Sequence, residues 1–94
     1  MARGVVESFA HMAVAPGLTI KEQLQERGMS QGEFALRMGM SEKHISHMIN
    51  GRVALTADAA LRLESVLGIP ARFWLKLETI YQDQKSRVPE EKEL

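Results

Sequence analysis

Residues 39–52 read GMSEKHISHMINGR and gather much of the chain's polar chemistry into one short stretch. His44 and His47 stand three apart, Lys43 and Arg52 supply cations, and Ser41, Ser46 and Asn50 supply hydroxyl and amide groups. Three chemistries suit such a set. Paired histidines can share a metal ion, and a histidine beside a nucleophile can move protons. Short donors and acceptors on a rigid rod can hydrogen-bond base edges in a duplex groove. A metal site is poorly supported, because it needs about three or four protein ligands. The sequence has no cysteine, and His11 is its only other histidine. Catalysis is poorly supported as well. No HExxH, Gly-rich phosphate loop or nucleophile–base constellation occurs. The expectation is a non-enzyme with no metal and no cofactor, and His44 is read as a solvated flank residue.

The third chemistry depends on how the stretch is presented. Pro16-Gly17 closes an N-terminal arm, residues 1–15, that has no clear period. Thr19 with Glu22 has capping-box spacing and opens a first helix carrying Ile20 and Leu24, ended near Gly28. Ser30 with Glu33 opens a second, which points Phe34, Ala35 and Met38 inward and stops at Gly39. Ser41 caps a third that runs to about Asn50, with Gly51 beyond it. Thr56 caps a fourth, ADAALRLESVL, ended by Gly68; a fifth, ARFWLKLETIYQDQ, follows Pro70 and leads into a charged tail, 84–94. Nothing alternates like a strand, so the fold class is all-α, five helices on short connections.

Only GMS separates the second and third helices, and a tight glycine turn between helices is the sign of a helix-turn-helix. Ile45, Met48 and Ile49, at i, i+3 and i+4, share one side of the third helix and read as buried. Lys43, Ser46, His47 and Asn50 stand opposite, with Ser41 and Glu42 at the exposed start. Such a face suits a major groove, which is wide enough to admit a helix.

Composition sets the frame. The 94 residues make one small domain, with 45% hydrophobic and 26% charged residues, ordinary globular values. Formal net charge is zero, unlike most nucleic-acid binders, but placement matters more than the sum. Between Arg27 and Arg62 the cations Arg27, Arg37, Lys43, Arg52 and Arg62 face only Glu33, Glu42 and Asp58, whereas Glu90, Glu91 and Glu93 crowd the tail. No stretch approaches the ~18 to 20 apolar residues that span a bilayer. Glu7 and His11 interrupt any signal-peptide core, and the lack of cysteine suits a cytoplasmic home.

The segment SQGEFALRMGMSEKHISHMINGR resembles the helix-turn-helix of the lambda-repressor/Cro-like family, with Gln31, Ala35, Gly39 and Ile45 at its spacing. The following ALTADAALRLESVLGIPARFWLKLETIY resembles, more specifically, HigA-type antitoxins of bacterial type II toxin–antitoxin modules. The two matches cover about residues 16–82; APGLTIKEQLQERG departs from the histidine-proline-glycine start usual there. The resemblance implies that Gln31 holds a phosphate at the groove edge. It also implies that Ser41, Glu42 and Lys43 lie closest to base edges, with Ser46 and His47 one turn later. Asn50 and Arg52 match backbone contacts at the helix end. It implies a repressor that binds palindromic operator DNA, autoregulates its operon and neutralises a cognate toxin, a small mRNA-cleaving ribonuclease.

The fifth helix adds an apolar stripe of Phe73, Leu77, Ile80 and Tyr81, widened by Trp74. So wide a stripe on a terminal helix is expected to face both its own body and a second subunit, giving a homodimer. Two alternatives stay open: a toxin-binding module whose helix-turn-helix is only a scaffold, and a stand-alone regulator with no toxin.

Overall fold

The computed structural model describes residues 15–93, with side chains described as far as Arg87. Helix α1 spans Pro16–Arg27, α2 Gln31–Met38, α3 Glu42–Ile49, α4 Ala57–Leu67 and α5 Ala71–Glu93. All five expected helices form, and no strand occurs among the described residues. The assigned arm lies outside the described residues except for Ala15.

Three hydroxyls start helices as their positions predict. Ser30 Oγ accepts from the Glu33 N–H, Ser41 Oγ from the His44 N–H and Thr56 Oγ1 from the Ala59 N–H, each at 3.1 Å. Each bond satisfies one of the four N–H groups that a helix start leaves without a partner. The Ser30 box is one-sided, since the Glu33 carboxylate turns outward to Arg37 at 2.8 Å.

The first helix corrects its expected start. Thr19 caps nothing and lies inside α1, which opens at Pro16 after Ala15, a residue with no side-chain cap bond. Proline suits that first turn because its φ is already helical and no N–H is wanted there. Gly17 supplies the tertiary reason. A Cβ built on it would run into the Ile49 carbonyl and lie 2.7 Å from Ile49 Cα. The start of α1 therefore rests directly on the backbone at the end of α3.

The core draws on every helix. Ile20 and Leu24 from α1, Phe34, Ala35 and Met38 from α2, and Ile45, Met48 and Ile49 from α3 are buried together. Leu55 from the following loop, Ala59, Ala60, Leu63 and Leu67 from α4, and Trp74 from α5 complete the cluster. Helix α5 packs chiefly on α4. Their junction is tied by Glu64 Oε1, which accepts from the Ala71 N–H at 2.7 Å and so caps α5 from a neighbouring helix. The backbone of α5 stays helical past Gln84 to Glu93, beyond the stretch that its sequence suggested.

Gly17→Ala tests the α1–α3 contact. Overpacking a close approach costs about 1 to 3 kcal/mol, and each kcal/mol lowers the melting temperature of a domain this size by roughly 4–8 °C. Thermal unfolding followed by circular dichroism should show that drop; an unchanged midpoint would contradict the packing.

Candidate nucleic-acid interface

Helix α3 is held from one side only. Ile45, Met48 and Ile49 are buried, whereas Ser41, Glu42, Lys43, His44 and Asn50 are exposed and Ser46 and His47 are half-exposed. The helix thus lies on the surface with its polar side outward. Along that side Asn50 Nδ2 donates to Ser46 Oγ at 3.4 Å, a long bond. Lys43 and Arg52, one near each end, pair with no carboxylate among the described residues.

The turn before α3 sets its angle. Gly39 has φ 69°, a left-handed conformation that a Cβ would strain, and its N–H donates to Leu36 O at 3.2 Å. The Met40 N–H reaches back to Ala35 O at 3.0 Å, which closes the end of α2. Arg62 of α4 secures this turn from outside. Its Nη1 donates to Met38 O at 2.8 Å and to Gly39 O at 3.3 Å, while Nε donates to Asp58 Oδ2 at 3.0 Å. A cation at a helix C-terminus also meets the negative end of the macrodipole.

The two helix starts lie side by side. The Glu42 carboxyl rests over the Cα of Gly32 in the first turn of α2, close enough that a Cβ there would be 3.6 Å from Oε1. That is the electropositive end of a helix, a favourable seat for a carboxylate. Gln31, exposed at the first position of α2, is therefore brought to the same edge as Ser41 and Lys43. Of the eight residues singled out for DNA contact, Gln31, Ser41, Glu42, Lys43, Asn50 and Arg52 are exposed, and Ser46 and His47 are half-exposed.

The apolar residues of α5 sort differently from their sequence stripe. Trp74 is 0% exposed, with its Nε1 donating to Ile69 O at 3.2 Å, so it is a core residue and not part of an exposed face. The correction follows from α5 folding back on α4, which turns the Trp74 side inward. Phe73 meets the indole edge-on at 5.4 Å between centroids, yet remains 41% exposed. Leu77 is half-buried, and Ile80 is 44% exposed. Tyr81, half-buried, stands with its hydroxyl against Gly51, where a Cβ would lie 3.3 Å from Oη.

Sequence reasoning overlooked Arg62 and Arg27. The Asp58–Arg62 spacing at i, i+4 announces an ion pair, but the carbonyl of Met38 lies 24 residues away. Arg27 similarly donates to Leu67 O at 2.7 Å and closes the end of α4 from α1.

A short α2, a glycine turn and an α3 that buries one side and offers the other define a helix-turn-helix domain of the DNA-binding kind. The helix-turn-helix family profile matches residues 20–74. The chain is 35% identical over 66 residues to the HTH-type transcriptional regulator YddM of Escherichia coli K12, covering 70% of each protein. It is 35% identical over 72 residues to antitoxin HigA-1 of Vibrio cholerae, covering 74% of this chain and 68% of that one. A HigA-family addiction-module antidote protein from Coxiella burnetii superposes with a TM-score of 0.74 at 31% identity, over 87% of this chain and 95% of that one. Pseudomonas aeruginosa HigA, solved with the higBA promoter, shares the fold at a TM-score of 0.79 and 23% identity, over 87% and 90%. The chain belongs to the helix-turn-helix family, in its HigA-type antitoxin branch.

Arg62→Ala should cost about 1.5 to 2 kcal/mol, the lower part of the range for charged hydrogen bonds, because 42% of the side chain is exposed. Lysine should restore only part of that, since an ammonium lacks the fork that spans two carbonyls and a carboxylate. Urea unfolding of the wild type and both variants measures the difference; full restoration by lysine would contradict the forked geometry.

Proposed function

We propose that the protein is an antitoxin that binds palindromic operator DNA as a homodimer, represses its own operon and neutralises a cognate ribonuclease toxin. The observation that carries the DNA reading is the free polar face of α3, anchored behind by Ile45, Met48 and Ile49. A rigid helix with that outline enters a major groove, where side chains reach base edges. Lys43 and His47, one turn apart on the outward face, discriminate bases. Ser41 and Ser46 add shorter polar groups, Asn50 meets the DNA backbone at the end of α3, and Glu42 steadies the start of α2. Gln31 and Arg52, at either end, hold phosphates and fix the register. The promoter seen with the Pseudomonas aeruginosa neighbour supports this use of the fold.

A neutral chain binds weakly through one helix, so pairing matters. Two-fold dimers present two recognition helices ~34 Å apart and read a palindrome. Phe73 and Ile80, exposed, and Leu77, half-buried between them, at i, i+7 and i+4, form the stripe we assign to the second subunit, with Tyr81 at its margin. Trp74 acts behind this stripe as its support. Sedimentation equilibrium at micromolar concentration should give twice the chain mass. Phe73→Glu with Ile80→Glu should yield monomers that still melt cooperatively, because both side chains are partly exposed already. Persistence of the dimer in that variant would move the interface elsewhere.

The DNA reading is tested by titrating the upstream operator and a scrambled duplex at two salt concentrations. Lys43→Ala and His47→Ala should each cost about 1 to 3 kcal/mol on the operator and flatten its preference over mutated sites. Gln31→Ala and Arg52→Ala should weaken both duplexes equally, and losing Arg52 should reduce the salt slope by roughly one. Equal, weak binding of both duplexes by the wild type would leave a toxin-binding module as the better account.

A further inference from the structure

At ~100° per residue, Tyr81 and Lys85 fall on the Trp74 side of α5, about a quarter-turn from the Phe73–Leu77–Ile80 stripe. Trp74 is buried in its own domain, so this side faces the body of the same chain. Near Trp74 that body is α4; two turns further on it is the loop after α3. There the Tyr81 hydroxyl abuts Gly51, at a junction that also includes Ala15 Cβ, 3.2 Å from where a Gly51 Cβ would be. Gly51 sits between Asn50 and Arg52, the two residues assigned to the DNA backbone at the end of α3.

The Tyr81 hydroxyl and the Lys85 ammonium, which stands over the Tyr81 ring, have no hydrogen-bond or ion-pair partner among the described residues. The Lys85 ammonium lies 5.5 Å from the centre of the Tyr81 ring and pairs with no described carboxylate. A cation over an aromatic face is steadied while most of its hydration stays available. The two described carboxylates of α5 each have a partner on their own helix. Glu78 accepts from Gln82 at 2.6 Å, and Asp83 pairs with Arg87 at 3.2 Å, both within exposed α5.

We propose that Tyr81 and Lys85 form a second phosphate-binding station on α5, beside the Asn50–Arg52 loop and outside the matched residues 20–74. The phenol donates one hydrogen bond to a phosphate oxygen and the ammonium supplies charge, the combination expected of contacts that set register and read no base. The station rests on the reading that α3 enters a DNA groove. It ties the helix that carries the proposed subunit contact to the backbone that the recognition helix follows. Tyr81 thereby serves the DNA side of α5, and Ile80 beside it serves the subunit side.

Affinity for operator and scrambled duplexes, measured against salt concentration, tests the station in the full chain. Lys85→Gln should lower the salt slope by roughly one on both duplexes, leaving the preference between them intact. Lys76→Gln, on the same helix and a half-turn away, should leave the slope unchanged. Tyr81→Phe should weaken both duplexes about ten- to a hundred-fold, the value of one hydrogen bond to a charged group, with the slope preserved. An unchanged slope for Lys85→Gln, or an equal fall for Lys76→Gln, overturns the station. So does dissociation of the dimer by either station variant in sedimentation at the same concentrations, which would assign the residues to the subunit contact. Should the wild type fail to prefer its operator, the repressor reading falls, whereas a slope change confined to Lys85→Gln would still uphold the phosphate station.

Discussion

The placement of α3 depends on one close approach, the backbone of Gly17 against the carbonyl of Ile49. An eight-residue helix has too few internal hydrogen bonds to persist alone in water, so its geometry is borrowed from what packs on it. The α1 backbone closes on its last turn, and its Ile45, Met48 and Ile49 are buried in one cluster with Phe34 and Ala35 of α2. A side chain at residue 17 would push these elements apart. With the approach intact, the outward side of α3 has a single direction.

The turn before α3 completes that constraint from the other end. Gly39 reverses the chain with a left-handed φ, and Arg62 binds the carbonyls that the reversal leaves bare. Such carbonyls need partners, because the last four of any helix lack intrahelical donors. Taking them from α4 couples the turn to the body of the domain. Arg27 does the same for the end of α4, and Glu64 for the start of α5. Long polar side chains thus lock neighbouring helix ends together around a core in which, among the described residues, no charged or polar residue is buried.

Electrostatics follow the same division of labour. Arg37, Arg62 and Arg87 are engaged by carboxylates four residues away, pairs that contribute little at the surface. Lys43 and Arg52 are left to the solvent on either end of the polar face. A chain of zero formal charge can thereby present local positive groups along one edge.

The sequence by itself determined the helices and most of their punctuation. Ser30, Ser41 and Thr56 each place an oxygen where the backbone needs one, Gly39 ends α2, and the spacing of Ile45, Met48 and Ile49 says which side of α3 is buried. These are local facts, settled within a few residues by hydrogen-bond geometry and helical period. Tertiary structure decided what local rules leave ambiguous. Thr19-x-x-Glu22 is a sound capping box on paper, yet α1 begins earlier, where proline fits its first turn and glycine meets α3. The stripe from Phe73 to Tyr81 is apolar over too wide an arc for periodicity to say which edge turns inward. Folding of α5 onto α4 sends Trp74 to the core, leaves Phe73 and Ile80 partly exposed and lays Tyr81 on Gly51. Contacts between residues 24 to 40 positions apart, such as Arg62 with Met38 and Arg27 with Leu67, leave no periodic trace, because they arise only when separate helices are brought together.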